Sequence, residues 1–251
     1  MSTLTRGRRF RIIDDFLPED ELVALRALAA GLPYERRASV IDAAADGEAE
    51  RSRGAVLWRQ EVLQETGPGP TPPAAYRSVV EELDRHPDLV GRGDVDWAMV
   101  GLGFWRYAAG SRLGWHNDAR ADRRGEFILF LHDTWMPSWG GELLLLDRDP
   151  ADLPPAPAGL SPFAAVEHQV AATPDALVAV VPRPNRLVIV QEGTSHCIHR
   201  VDRTAGEHLR WTMTGFVGTA LTSSARPDET SRAERLAPFL VSSAPASEHR
   251  N

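Results

Sequence analysis

The sequence predicts a mainly β domain with flanking helices, an α+β chain whose strands form a sandwich or a barrel. Two observations carry this prediction. After Gly93 the chain contains short apolar runs rich in β-branched and aromatic residues, separated by turn signals rather than by helices. Before that point, two segments repeat apolar residues at helical spacing. With 251 residues, the chain is long enough for one large domain or two small ones.

The first 90 residues are expected to support the β core. Residues 8 to 17, "RRFRIIDDFL", are typical of a short strand that runs into a turn. "LPEDELVALRALAAGL" follows with Leu22, Leu25 and Ala29 at helical spacing and acidic residues in its first turn, which predicts a helix. Residues 36–70 are polar with scattered glycine and proline, and we expect mostly loop there. A second amphipathic helix is expected within residues 73–90.

The β core is predicted to lie between residues 94 and 218. The predicted strands are "VDWAMVGLGFWRYAAG", "EFILFL", "GELLLLD", "DALVAVV", "NRLVIVQEG" and "LRWTMTGFVG". Residues 148–162 contain five prolines and predict an exposed loop.

We therefore expect a single domain over residues 1–221. Its helical support would lie in residues 15–90 and its β core in residues 94–218. Residues 222–251 would form a polar C-terminal tail, partly helical around "SRAERLAPFLV" or disordered.

Charge and composition exclude several classes of protein. The formal net charge of -7 argues against a nucleic-acid binder or a protein of anionic membranes. No apolar run approaches the roughly 20 residues that span a bilayer, and no apolar stretch follows the first charged residues as in a secretory signal. The one cysteine, Cys197, allows no intrachain disulfide. We expect a cytoplasmic protein, while the oligomeric state stays open.

The segment "GWHND" places two metal-ligand types close together. On a strand, His116 and Asp118 point to the same face, so both can reach one ion. A lone His-x-Asp is also typical of a capped turn, so a third ligand is needed. The five candidate histidines are His132, His168, His196, His199 and His208. Two of them, His196 and His199, follow a predicted strand through a short turn, and they should face differently.

Two histidines and one carboxylate on one side of an ion leave the opposite positions open, as in non-haem Fe(II) sites. A structural zinc site would instead be expected to use cysteine. The predicted last strand of the core carries Arg210, and an arginine inside a barrel is costly unless it meets an anion. On the same strand face, Thr212 and Thr214 offer hydroxyl donors. A further phenol, Tyr107, precedes His116 by nine residues.

Taken together, these motifs resemble the Fe(II)/2-oxoglutarate dioxygenases, and within them the prolyl-4-hydroxylase-like branch. "IIDDFLPEDEL" resembles the family's opening strand and helix, and "RYAAGSRLGWHND" resembles its segment with the first two iron ligands. "FLHDTWMPSWGGEL" resembles the hairpin after the metal strand. "NRLVIVQEGTSHCIHRVD" and "LRWTMTGF" resemble the segments with the distal histidine and the 2-oxoglutarate arginine. The resemblance runs from about Phe10 to Val217 and is specific in its combined order and spacing.

The resemblance implies a double-stranded β-helix, a jelly roll like that of the cupins. It implies that His116, Asp118 and His196 hold Fe(II). His196 is preferred to His199 because strands hold their register, whereas the loop before Arg210 can absorb extra residues. Arg210 would bind the distal carboxylate of 2-oxoglutarate.

Around that carboxylate, Tyr107, Thr212 and Thr214 would complete the cosubstrate site. The cofactors implied are Fe(II), 2-oxoglutarate and dioxygen, with ascorbate as a stimulant. The reaction implied is hydroxylation of an unactivated C–H bond with release of succinate and carbon dioxide. Asp118 fills the position where halogenating relatives carry a small residue, which favours hydroxylation.

The chain departs from the family pattern at two positions. Many members have Tyr-Leu-Asn where this chain has Phe130-Leu131-His132. Since Phe130 cannot hydrogen-bond the cosubstrate, Tyr107 or a threonine must contribute more. We expect His132 to lie beside the site or in a loop rather than on the metal.

A small molecule, such as an amino acid or a biosynthetic intermediate, is the expected substrate. Residues 36–70 and 148–162 are expected to border the pocket mouth. Five tryptophans are candidates for its lining: Trp58, Trp105, Trp115, Trp135 and Trp139. The alternatives are a peptidyl hydroxylase of the prolyl-hydroxylase type and a non-catalytic, cupin-like metal-binding protein. A mere metal binder does not need the carboxylate clamp that Arg210 provides.

Overall fold

The computed structural model describes residues 3–64, 71–219 and 232–240. Twelve strands lie in these ranges: β1 Leu4–Arg6, β2 Phe10–Ile13, β3 Tyr34–Ala38, β4 Glu48–Trp58, β5 Met99–Tyr107, β6 Leu113–His116, β7 Arg123–Phe130, β8 Leu143–Leu146, β9 Leu177–Val180, β10 Leu187–Gln191, β11 His196–Ile198 and β12 Arg210–Gly218. Seven helices accompany them: α1 Glu19–Ala30, α2 Ala43–Asp46, α3 Arg59–Leu63, α4 Ala74–Asp84, α5 Pro87–Val90, α6 Pro162–Ala171 and α7 Arg232–Leu240.

The strands form two antiparallel sheets, which is the jelly-roll arrangement expected from the sequence. The large sheet has the order β1-β2-β10-β7-β12-β5-β4-β3, and the small sheet has the order β6-β11-β8-β9. Apolar side chains between the sheets close one end of the sandwich, among them Phe130, Leu145 and Val188. The other part of this interior stays open and holds the site described below.

Helices cover the outer face of the large sheet. The apolar face of α4 buries Tyr76, Val79 and Leu83, and α1 buries Leu22 and Leu25 beside it. Every residue in this group is at most 3% exposed. At roughly 25 cal/mol per Å² of apolar area, this helix layer is a main source of stability for the sheet. The helices thus support the large sheet, whose strands β5 and β12 carry Tyr107 and Arg210.

Helix α7 belongs to this layer. Leu236 and Phe239 are buried in the same core, and the Phe239 ring lies 6.0 Å from that of Tyr76 and 6.3 Å from that of Phe104. We expected this segment to be part of a polar tail, because only two large apolar side chains mark its inner face. The rest of the expected tail lies outside the described residues, and the domain boundary at residue 221 stays a prediction.

The prediction that residues 36–70 are mostly loop is wrong. Strands β3 and β4 lie there and extend the large sheet beyond β5, so residues 15–90 are not purely helical support. Strand β4 is hard to recognise in the sequence because its residues on one face, such as Arg51 and Gly54, border an open cavity instead of an apolar layer. A strand with one open face lacks the alternation that sequence patterns rely on.

Two smaller differences concern the second helix and the proline-rich region. The helix expected within residues 73–90 is divided into α4 and α5, because Pro87 begins a new turn. Helix α6 was not predicted and starts at the end of the proline-rich loop, with Ser161 capping its first turn. Within the described ranges, no helix is long and apolar enough to cross a membrane.

Candidate active site

His116, Asp118 and His196 meet on the inner face of the small sheet. The two histidines lie directly opposite each other on the antiparallel strands β6 and β11, with ring centroids 4.2 Å apart. Asp118 follows two residues after His116, and its Oδ2 lies 3.7 Å from His116 Nε2 and 3.8 Å from His196 Nε2. All three ligand atoms lie within 4.8 Å of one another, so one metal ion can reach all of them.

Both imidazoles are oriented by the backbone. His116 Nδ1 lies 2.8 Å from the carbonyl oxygen of Gly114, and His196 Nδ1 lies 2.9 Å from that of Thr194. A carbonyl can only accept, so each Nδ1 donates its proton and each Nε2 keeps its lone pair. Burial and the neighbouring His196 ring lower the pKa of His116 to about 4, and burial lowers the pKa of His196. Both rings are therefore neutral and ready to bind a metal.

Arg123 holds the carboxylate of Asp118 in place. Its Nη1 lies 3.1 Å from Asp118 Oδ1 and donates to the Asp118 carbonyl oxygen at 3.1 Å. The guanidinium is itself packed on the Phe216 ring, 3.5 Å from the ring centroid. This arrangement occupies Oδ1 and leaves Oδ2 facing the two Nε2 atoms. Arg123 would thus not bind the metal itself but would fix the rotamer of Asp118, the candidate metal ligand.

Arg210 begins β12 and points into the same interior. It is 1% exposed, its Nε donates to the carbonyl oxygen of Gly141 at 2.6 Å, and its Nη2 is buried without a hydrogen-bond partner. Gly141 has a φ of +70°, and a Cβ there would come 3.0 Å from Arg210 Cδ, so glycine permits this close approach. Burial lowers the pKa of Arg210 to about 10, and the group remains a cation at neutral pH. A buried guanidinium with an unpaired nitrogen fits an anionic ligand.

The other predicted cosubstrate residues surround this guanidinium. Tyr107 lies opposite Arg210 in the β5–β12 register, and burial raises the pKa of its phenol to about 12, so it stays a donor. Thr212 and Thr214 follow Arg210 on the same strand face and line the same cavity. Phe130 offers only its ring, whose centroid lies 4.9 Å from the Arg210 guanidinium carbon.

One cavity of about 630 Å³ contains both the triad and the arginine. Its walls come from β4, β5, β7 and β12 of the large sheet and from β6, β8 and β11 of the small sheet. Residues 37–41 and several positions of β4 form its outer part, as expected for residues 36–70. The proline-rich loop 148–162 was expected there too and contributes no lining residue, whereas Phe163 does. Of the five candidate tryptophans, only Trp105 lines the cavity.

Glu126 is a buried carboxyl group that the sequence analysis did not single out. Its Oε1 lies 3.3 Å from His196 Nδ1, and burial together with the Asp118 carboxylate raises its pKa to about 8. Glu126 is the first residue of the run "EFILFL", and its side chain shares the cavity-facing side of β7 with Ile128. An acidic residue at such an inward position was the signal that could have identified it.

The structure distinguishes between the candidate histidines. The side chain of His196 is 7% exposed and faces the triad, whereas that of His199 is 61% exposed and pairs with Glu142 at 3.0 Å. His132 is buried outside the triad and its Nε2 lies 3.0 Å from the carbonyl oxygen of Pro182. The seven predicted site residues thus share one cavity, while their individual roles stay predictions.

The donor set and the arginine fit a metal and a dicarboxylate. Two neutral imidazoles and one carboxylate, all on one side, are the ligands that suit a non-haem Fe(II) with open positions. The unpaired Nη2 of Arg210 would complete a pair with a carboxylate in a largely dry environment. The residues present therefore fit Fe(II) and 2-oxoglutarate.

Comparisons with known proteins agree with this reading. The family model "2OG-Fe(II) oxygenase superfamily" matches residues 102–218. No curated protein matches the chain significantly. Among solved structures, a 2OG-Fe(II) oxygenase family oxidoreductase from Burkholderia pseudomallei is 16% identical with a TM-score of 0.52, covering 84% of this chain and 87% of that one.

Two further solved structures are similar at low identity. HygX from Streptomyces hygroscopicus, determined with nickel, 2-oxoglutarate and hygromycin B bound, is 12% identical with a TM-score of 0.54, over 86% of this chain and 85% of its own. A prolyl-4-hydroxylase from Pseudomonas putida is 18% identical with a TM-score of 0.49, over 84% of this chain and 93% of its own. The likenesses to HygX and to the Burkholderia protein concern the fold alone.

The matched segment, residues 102–218, contains the His116–Asp118–His196 cluster and Arg210. Over residues 102–218 the chain matches the 2OG-Fe(II) oxygenase superfamily, whose enzymes use Fe(II), 2-oxoglutarate and dioxygen.

Proposed function

We propose that this oxygenase hydroxylates an unactivated C–H bond of a small molecule, an amino acid or a biosynthetic intermediate. The observation that carries the proposal is the enclosure of the triad and of Arg210 in one cavity of about 630 Å³. A cavity of this size suits a small molecule beside the cosubstrate. When bound, Fe(II) and 2-oxoglutarate would supply the chemistry by which dioxygen oxidises the substrate, with 2-oxoglutarate converted to succinate and carbon dioxide.

In this proposal His116, Asp118 and His196 are the metal ligands. The backbone carbonyls of Gly114 and Thr194 keep both Nε2 atoms available, and Arg123 keeps Asp118 Oδ2 turned towards them. The ligands need no rearrangement to bind the ion, so little ordering cost opposes metal binding.

The buried guanidinium of Arg210 pairs with the distal carboxylate of 2-oxoglutarate. Tyr107 and Thr212 are buried beside it and add hydroxyl donors. These hydroxyls replace the phenol hydroxyl that a tyrosine at position 130 would have provided. Because Arg210 Nε already donates a hydrogen bond to the Gly141 carbonyl oxygen, the plane of the guanidinium is fixed before the cosubstrate binds. A clamp of this kind distinguishes an oxygenase from a cupin-like protein that only holds metal.

The experiment is a succinate assay of the full chain with Fe(II), 2-oxoglutarate and dioxygen, with ascorbate included to keep the iron reduced. Free amino acids and biosynthetic acids are compared with proline-containing peptides of several lengths. Product mass should increase by one oxygen atom with a small molecule and in step with succinate. Coupled succinate formation with peptides alone would instead support the peptidyl-hydroxylase alternative, and a substrate-dependent loss of two hydrogens would replace hydroxylation by desaturation.

A further inference from the structure

Side chains are missing from one strip of the cavity wall. On β5, Gly101 and Gly103 occupy alternate positions of the face that continues as Trp105 and Tyr107, and all four line the cavity. Gly54 of β4 lies beside Gly103, since a Cβ on Gly103 would come 3.6 Å from Gly54 Cα. We call Gly54, Gly101 and Gly103 the glycine trough.

Two of these glycines are not required by the packing of the chain. A Cβ on Gly101 would find its nearest atom at 3.5 Å, the nitrogen of Phe216, and one on Gly103 would meet only Gly54. Both distances are ordinary contacts, and neither residue has a positive φ. Gly54 differs, because a Cβ there would come 2.4 Å from the carbonyl oxygen of Leu102. Glycine in a strand interior marks a bulge or a close approach to the backbone, and the β4–β5 register is interrupted between Ser52 and Ala55, beside Gly103. The two missing side chains leave room in the cavity for a ligand to lie against the backbone.

Arg51 borders the trough on β4. It is paired in register with Trp105, and its guanidinium carbon lies 5.1 Å from the indole ring centroid. It lines the cavity, is exposed to it, and makes no salt bridge within 4.0 Å in the described part of the chain. This cation–π contact restrains the guanidinium and leaves its N–H groups free to bind an anion.

The other arginines that line the cavity are already engaged. Their partners are Glu35 for Arg37, Asp46 for Arg112, Asp118 for Arg123 and the proposed cosubstrate for Arg210. The two acidic lining residues both lie at the triad, since Asp118 belongs to it and Glu126 Oε1 lies 3.3 Å from His196 Nδ1. Glu35 lies opposite Arg51 in the β3–β4 register, but its carboxylate pairs with Arg37, so two arginines share one acid and the outer cavity keeps an excess positive charge beside Arg51.

We infer that the primary substrate is a small carboxylic acid whose body lies in the glycine trough and whose carboxylate pairs with Arg51. The trough lies between Trp105 on one side and Val56 with Phe216 on the other, which suits an apolar body. This inference rests on the proposed function, because it assigns the substrate class of the same site.

The experiment measures binding without turnover, using two acid and amide pairs of equal shape: phenylacetate with phenylacetamide, and indole-3-acetate with indole-3-acetamide. The full chain is loaded with Zn(II) in place of iron and with saturating 2-oxoglutarate, so that Arg210 is already occupied. Calorimetry first confirms cosubstrate binding in each sample. We expect each acid to bind about 10-fold more tightly than its amide, the effect of one charge-assisted pair.

Arg51→Gln should bring the ratio of acid to amide affinity close to one while 2-oxoglutarate still binds. Arg53→Gln is the matched control, since Arg53 is exposed on the same strand and does not line the cavity, and it should keep the preference. The double variant Gly101→Ala and Gly103→Ala should weaken acid and amide alike.

Three results would overturn the inference while cosubstrate binding is intact: acids and amides binding equally to the unaltered chain, neither compound of either pair binding, or a preference that survives Arg51→Gln. Absent 2-oxoglutarate binding would instead count against the proposed function. The two failures are thus distinguishable in one sample.

Discussion

The inner and outer ends of the cavity are built in opposite ways. At the inner end, His116, His196 and Arg210 are buried, and each is oriented by a hydrogen bond to a backbone carbonyl. At the outer end, Arg51 is exposed and two glycines leave the wall bare. The inner end has to hold groups of fixed chemistry, so its side chains are locked. The outer end has to admit a substrate, so it is shaped by the absence of side chains.

Replacement of Asp118 tests the inner end most severely. Asp118→Gly removes one ligand and one negative charge from the triad, and we expect loss of nearly all succinate formation with the fold retained. Succinate assay and thermal unfolding of the same sample check both parts. Hydroxylation at the unaltered rate, without added carboxylate, would show that Asp118 is not a ligand.

Arg210→Ala should act on the cosubstrate and spare the metal. A charge-assisted pair in a partly dry pocket contributes about 2 to 4 kcal/mol, so the 2-oxoglutarate concentration needed should rise roughly 30-fold to 1,000-fold. Iron content should stay near that of the unaltered chain. The companion variant Arg210→Lys keeps the positive charge but loses the paired N–H groups that bind a carboxylate bidentately. It should recover only part of the affinity for 2-oxoglutarate. An unchanged cosubstrate requirement in Arg210→Ala would place the clamp elsewhere.

Arg123 allows a finer test of how the inner end is locked. Arg123→Gln removes the ion pair with Asp118 Oδ1, and we expect metal affinity to fall about 10-fold to 100-fold, as for other outer partners of metal ligands. Arg120→Gln is the matched control, because Arg120 is exposed and pairs only with Asp122. Competition with a metal chelator measures the metal affinity of both variants. If Arg123→Gln and Arg120→Gln bind the metal equally well, Arg123 does not position Asp118.

Two glycines of the cavity wall, Gly215 and Gly103, are expected to differ in how much their replacement by alanine lowers stability. A Cβ on Gly215 would lie 1.5 Å from the carbonyl oxygen of Gly101, so Gly215→Ala should lower the free energy of unfolding by about 1 to 3 kcal/mol or more. Gly103→Ala meets no such obstacle and should change it by less than about 1 kcal/mol. Urea unfolding of both variants checks the comparison. Equal losses would mean that Gly103 is also structural and that the trough is a packing feature.

The sequence predicted the inner end far better than the outer end. The apolar runs of β7 and β10 are almost wholly buried and therefore stand out in the sequence. The "HND" motif precedes β7, and Arg210 begins β12, which pairs with β7. Strand β4 could not be recognised, because one face is open to the cavity and carries polar residues and glycine. Arg51 takes its significance from Trp105 on the neighbouring strand, which no local pattern reveals.

The central claim is that His196, opposite His116, completes an open metal site that binds 2-oxoglutarate. Its most direct test is the visible charge-transfer band of the Fe(II) and 2-oxoglutarate complex, recorded without oxygen in three proteins. We predict a weak band in the unaltered chain and in His199→Ala, whose side chain is exposed and pairs with Glu142. We predict its loss, together with bound iron, in His196→Ala. A band that survives in His196→Ala and disappears in His199→Ala would contradict the account.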